Sequence, residues 1–262
     1  MIRYLKLYRA FFINCLVREM EFRAHFFLSN LISISWSAVF LLTYFFIFRQ
    51  TSSVNGWTLE QMLLLTAIYF LADRVYDSFL EMNFEDFVNL VNTGRLDLIL
   101  TKPVNSQFIV SLRRFSFSFT ISSLMMFGLL VYLVVHYFWP LPLINLLVGL
   151  LIFIAGLVIS YSLWFMTLLP VFWWGRVDNI QHLFRPFHQL SRIPIDITGR
   201  FIQPLFTFIF PLAFIATVPT QALTGQLNWP LIGYGVFAAA LLFYLSHRLW
   251  NFALRHYTSA SS

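Results

Sequence analysis

From Phe115 to Gly175 the chain carries no Asp, Glu, Lys or Arg. A helix crosses the hydrocarbon of a bilayer with about 20 apolar residues, so this stretch is too long for one crossing and suits two. Trp139, Pro140, Leu141 and Pro142 interrupt it. Prolines so closely spaced break a helix, and they predict a tight hairpin between spans over 115–138 and 143–170. The whole chain agrees with this local demand. It is 59% hydrophobic and 11% charged, with a mean hydropathy of +0.75, whereas soluble domains carry about 25% charged residues. The main solvent is therefore lipid. Nothing resembles the alternating segments of about ten residues that build a membrane β-barrel, and the expected class is an all-α polytopic membrane protein.

The other spans follow from the same reading. Phe26 to Phe48 is free of Asp, Glu, Lys and Arg and makes a first span. A loop from Arg49 to Glu60 leads to a second span over 61–80, whose last third contains Asp73, Arg74 and Asp77. Residues 81–114 are polar and charged. Phe201 to His247 is again free of those four residue types, and Pro219, Gly225, Asn228 and Pro230 divide it into spans over 201–218 and 230–249. Six spans result, in a domain over 26–250. It is preceded by an interfacial helix over 1–25 and followed by a polar tail over 251–262. The first 25 residues have no continuous apolar core, so no cleavable signal peptide is expected. Cys15, the single cysteine, excludes an internal disulfide.

Basic residues orient the chain. Lys and Arg accumulate on cytosolic segments. With the N-terminus inside, the segments 1–25, 81–114 and 176–200, together with Arg248 and Arg255, hold fifteen of the 17 basic residues. Both termini are expected in the cytosol. The net charge of +6 is read as this topological signal rather than as a nucleic-acid surface.

Three segments invite more than topology. In residues 1–25, Arg3, Lys6, Asn14 and Arg18 share one helical face and Leu5, Tyr8, Phe12 and Leu16 the other, the pattern of a helix lying at the headgroups. It suits either a passive anchor or a lever on the first span. Asp73, Arg74 and Asp77 are costly at the centre of a lipid-facing helix, roughly 2.5–3.5 kcal/mol each for Asp or Arg. They suit either a gate near the cytosolic mouth, with Arg74 paired to Asp77, or a helix end that has reached the headgroups. Pro204, Pro211 and Pro219 predict a short or kinked fifth helix followed by a re-entrant or surface element through about Trp229, with an ordinary kinked helix as the alternative. His182 and His188 have no acids or cysteines grouped with them, and no metal site, cofactor site or catalytic residue is expected in this chain.

The run Gly94-Arg95-Leu96-Asp97-Leu98-Ile99-Leu100-Thr101-Lys102-Pro103-Val104-Asn105 reads as a short amphipathic helix opened by a glycine turn and stopped by proline. Leu96, Ile99 and Leu100 are expected on its apolar face, with Arg95 and Asp97 polar. Gly94, Leu96, Asp97, Leu100, Pro103, Val104 and Asn105 match a G-x-L-D-x-x-L-x-x-P-V-N stretch, and here the chain resembles permease subunits of the ABC-2 exporter family. Phe210 to Ile215, followed by Pro219, is similar to that family's fifth-span region, while Arg192-Ile193-Pro194 departs from the aromatic-proline pattern before it.

The resemblance implies six transmembrane helices with an N-terminal interfacial helix and a cytosolic coupling helix, the type V exporter arrangement, in a bacterial inner membrane. It also implies a coupling helix, with Gly94, Arg95, Leu96, Asp97, Leu100, Lys102, Pro103 and Asn105, seated on a separate cytosolic ATP-binding-cassette ATPase. The implied partners are that ATPase, a second permease (identical or similar) and membrane lipid, with no nucleic acid. No G-x-x-x-x-G-K-[ST] loop occurs in this sequence, so ATP and Mg would belong to the partner ATPase. The expected function is an exporter permease for amphipathic or lipid-like cargo. A membrane scaffold or assembly subunit and an ion-driven secondary transporter are the alternatives.

Overall fold

The computed structural model describes residues 2–21, 23–175 and 180–257. Arg176 and Asp178, the tail from Thr258, and the side chains of Arg3, Leu5, Lys6 and Arg18 lie outside the described residues. The described chain is helical, without strands. α1 (Ile2–Glu21) turns into α2 (Arg23–Phe48). A loop with Asn55 and Gly56 at positive φ leads to α3 (Leu59–Tyr76). α3 opens on a reciprocal cap in which Thr58 Oγ1 accepts from the Gln61 N–H and Gln61 Oε1 accepts from the Thr58 N–H. A π-helical turn over Asp77–Glu81 carries α3 directly into α4 (Met82–Asn92).

α5 (Asp97–Leu100) and α6 (Ser106–Leu112) follow, then a non-helical strap over 113–119. α7 (Thr120–Tyr137) and α8 (Leu143–Leu168) form the expected hairpin, and α9 (Val171–Trp174) extends α8. α10 (Phe184–Gln189), α11 (Ile202–Pro204) and α12 (Thr217–Leu223) are short, and α13 (Trp229–Arg255) closes the chain. Among the described residues, four helical stretches are long and apolar enough to cross a membrane: Arg23–Phe48, Thr120–Tyr137, Leu143–Trp174 and Trp229–Arg255.

α3 is not among those four, because Glu60, Asp73 and Arg74 dilute its apolar content. It is nevertheless the most enclosed of the long helices. Leu64, Leu65, Ala67 and Tyr69 are fully buried, and α2, α7, α8 and α12 pack around it. Protein rather than lipid surrounds α3, which is how it tolerates charges that a lipid-facing helix could not.

The segment expected to be a basic cytosolic loop is something else. Arg185 Nη2 sits 2.7 Å from Asp77 Oδ1, near the last turn of α3. Eleven residues later the Asp196 carbonyl accepts a hydrogen bond from Asn55 Nδ2 in the loop before α3 (3.0 Å). α3 has 18 residues and is therefore about 27 Å long. A segment that touches both of its ends runs alongside it. Residues 184–198 thus follow α3 in short helical pieces, a packing expected instead of a span over 201–218, and Arg185 and Arg192 lie against the helix rather than in a loop at one end. Arg185, Arg192 and Arg200, which follows Asp196 at the opposite end, therefore leave the count of basic residues on one side. α1, the basic residues of 81–114 and the arginines at the end of α13 still gather at one end of the bundle, called here the basic end.

Residues 199–211 then turn back with Phe201, Phe208, Ile209 and Phe210 exposed, and 212–223 return as a buried arm. Pro211 stands at the reversal. Pro204 and Pro219 occupy first helical turns, where a missing N–H costs nothing. The returning arm approaches its neighbours closely. A Cβ on Gly156 of α8 would lie 2.1 Å from the Phe214 carbonyl oxygen, and one on Gly235 of α13 would lie 2.4 Å from the Phe214 ring. Two glycines therefore make the slot that seats Phe214, as small residues do at close helix contacts in membranes.

Candidate functional site

α4 ends at Gly94, whose φ of +69° only glycine adopts without strain. The Leu96 N–H reaches back to the Leu90 carbonyl (3.0 Å), folding the chain onto the end of α4 before α5 begins. Pro103 has no N–H to continue the helix, and the Asn105 side chain starts α6 by accepting from the Phe108 N–H (3.1 Å). α5 is thus a single exposed turn between two hairpin arms.

Its faces differ from the expected ones. Leu96 is 0% exposed and Ile99 is buried, both packed into the protein, while Leu98 is 67% exposed and Leu100 faces outward beside Arg95, Thr101, Lys102 and Pro103. Leu96 therefore anchors the element and cannot touch a partner. The outward surface joins two leucines to two cations.

The strap after α6 ties this element to both α4 and α1. Asn83 accepts from the Arg114 N–H and donates to the Arg114 carbonyl (2.9 and 2.8 Å). Asp86 pairs with Arg113 and Arg114, and the Ser116 N–H donates to the Ser78 carbonyl. From α1, Cys15 Sγ accepts from the Phe115 N–H, and the Phe12 ring packs on those of Phe115 and Phe117. Glu19 accepts from the Phe117 N–H (2.6 Å) and the Ser118 hydroxyl.

Asp73, Arg74 and Asp77 are brought together as the helical spacing suggests. They are buried among protein side chains rather than at a wetted helix end, with Asp77 4% exposed. Arg74 Nη1 donates to Asp77 Oδ2 at 2.7 Å, and Arg74 Nη2 lies 3.5 Å from Asp73 Oδ2. Arg185 clasps Asp77 and Glu81 from α10. His188 Nδ1 lies 3.6 Å from Asp73 Oδ1, a carboxylate neighbour the linear sequence does not provide. Arg192 Nε donates to the Tyr69 hydroxyl, itself 3.4 Å from Asp73 Oδ1, and the guanidinium lies over the rings of Phe40 and Tyr69. The void beside the cluster measures only about 10 Å³, room for roughly one water. The cluster is a closed clasp.

Sequence reasoning missed Glu81, Arg185, His188 and Arg192. The signal was available in part. Buried acids in the second span demand cations, and Arg185, His188 and Arg192 recur at the spacing of one helical face. Among the described residues no group of three or more His, Cys, Asp or Glu could hold a metal ion.

Residues 34–261 match the family model described as ABC-2 family transporter protein. No curated protein and no solved structure matches the chain. The match covers most of the chain, and the protein belongs to the ABC-2 transporter family.

Proposed function

We propose that the chain is the permease subunit of an ATP-driven exporter, with α5 as the element that docks a separate ABC ATPase in the cytosol. The observation carrying this reading is the two-sidedness of α5. Leu96 and Ile99 lock it into the bundle while Arg95, Leu98, Leu100 and Lys102 project from it. A force applied to that outward surface reaches α4 directly and α1 through the strap, and α4 is continuous with the central α3. The basic end would be cytosolic, both termini with it. Two copies, identical or similar, would enclose the pathway, in a bacterial inner membrane. The ATP and Mg would be held by the ATPase.

The clasp on Asp73, Arg74 and Asp77 is the proposed gate. It holds the segment over 184–198 against α3, and a rigid-body shift of α3–α4 would part the two. Amphipathic or lipid-like cargo suits an interior with few other charges. The test is co-purification of the tagged chain with its ATPase and measurement of ATP hydrolysis. Arg95→Glu with Leu98→Asp should abolish stimulation while the chain stays folded. An unaltered complex with unaltered hydrolysis would reject α5 as the docking element.

Buried ionisable groups also favour a second reading, ion-driven transport, since such carriers keep them at depth. Here Asp77 is held by Arg74 and Arg185 in a closed cluster with room for about one water, which offers no continuous ion path. Uptake in vesicles driven by a pH gradient without ATP would favour that reading. A scaffold role would show as partner binding without cargo movement under either energy source.

A further inference from the structure

A groove of about 710 Å³ opens at the basic end between α3, α6, α8 and α13, within the roughly 300–1,000 Å³ of ligand sites. Its walls are apolar, with Phe79, Leu112, Leu157, Val158 and Phe243 among them. The flanking outer faces of α8 and α13 expose Leu150, Leu151, Phe237 and Tyr244, so lipid rather than water lies against it. One wall is polar. Tyr161 OH bonds Gln107 Nε2 (3.2 Å) and Ser111 Oγ (2.9 Å), and Gln107 Oε1 bonds His247 Nδ1 (2.8 Å).

That polar chain continues out of the groove along α13. His247 Nε2 meets Asn251 Nδ2 at 3.1 Å, and Asn251 lines a second hollow of about 570 Å³ with Arg248 and Arg255. Positions 248 and 255 are two helical turns apart and so share a face. Both arginines are exposed, and among the described residues neither makes a hydrogen bond or an ion pair; Arg248 lies only over the Tyr244 ring. An apolar groove, a polar neck and a pair of exposed cations thus follow one another along the bundle toward its basic end.

We infer that this ramp binds one anionic phospholipid, with a hydrocarbon tail in the α3–α6–α8–α13 groove, its ester region at Gln107, Tyr161 and His247, and its phosphate on Arg248 and Arg255. Charge complementarity selects the occupant. A neutral amphiphile would leave the two arginines without a counter-charge at the headgroup level, whereas an anionic lipid meets both requirements at once. The inference requires only that the chain lie in a membrane and holds for a permease or a scaffold alike.

The test is native mass spectrometry of the detergent-purified chain offered equal phosphatidylglycerol and phosphatidylcholine. Wild type should retain phosphatidylglycerol in preference, and each of Arg248→Gln and Arg255→Gln should cut that preference roughly fivefold. Leu157→Trp, which fills the groove, should lower retention of both lipids, and Val158→Phe serves in its place if the melting temperature shows that the first variant does not fold. Equal retention of the two lipids by wild type, or an undiminished preference in the Arg248→Gln/Arg255→Gln variant, would overturn the headgroup site. Unchanged retention in the groove-filling variant would overturn the placement of the tail. A dimer that persists without lipid and is lost in that variant would assign the groove to a second copy instead.

Discussion

The carboxylate of Glu19, on α1, accepts the backbone N–H of Phe117, in the strap before α7, at 2.6 Å. The same side chain accepts from the Ser118 hydroxyl. Among the described residues of α1, Cys15 also hydrogen-bonds this strap, at 3.4 Å. Of the two readings open for the N-terminal helix, anchor or lever, these bonds support the lever. A helix pinned to the strap must follow it when α4–α6 moves.

Glu19→Ala removes the acceptor and leaves the Phe117 N–H without its partner, a cost of about 1–3 kcal/mol for a buried group. Cys15, buried beneath α1 with its sulfur on the Phe115 N–H, reports the outcome. Maleimide should label it slowly in wild type and at least several-fold faster in Glu19→Ala. Equal rates would mean that α1 is held by its apolar contacts alone.

Leu96 and Leu98 are neighbours with opposite duties. Leu96→Ala empties a fully enclosed site and should cost about 2–5 kcal/mol of stability, visible as a lower melting temperature in detergent. Leu98→Ala should leave melting within about 0.5 kcal/mol of wild type and weaken only ATPase docking. The reverse pattern would place the wrong face of α5 outward.

Asp77 balances Arg74 and Arg185 together. Asp77→Asn leaves both cations short of charge, and breaking such a buried pair costs about 3–5 kcal/mol. Removing a cation as well, in Asp77→Asn/Arg185→Met, should be less damaging than the sum of the single changes. Additive losses in a thermal unfolding cycle would show that the two side chains do not act as a pair.

Gly156 leaves no room for a side chain, since even a Cβ would lie 2.1 Å from the Phe214 carbonyl oxygen. Gly156→Ala should destabilise by about 1–3 kcal/mol through forced separation of α8 from the returning arm. Gly128 of α7 has nothing within 4 Å of the same position. Gly128→Ala should be neutral or stabilising by up to about 1 kcal/mol. Similar melting temperatures for the two variants would refute the tight contact.

Read as a string, these residues already specified a lipid-embedded helical protein, the α7–α8 hairpin, a turn at Gly94, a stop at Pro103 and a broken element around Pro204, Pro211 and Pro219. Those features depend on hydropathy over about 20 residues and on backbone restrictions of glycine and proline, both of which are local. Asp73, Arg74 and Asp77 also announced that they needed partners. The tertiary structure alone decided who those partners are. Arg185 pairs with Asp77 and His188 approaches Asp73 from more than a hundred residues away, while Arg192 bonds Tyr69, and these contacts lay an apparently cytosolic loop along α3. It likewise decided that Leu96 points in and Leu98 out, because one turn of helix carries too few residues to mark its own buried face. Charge pairing and side-chain burial are properties of the packed bundle, and a count of charges along the chain registers the cost of each ion without the neighbour that offsets it.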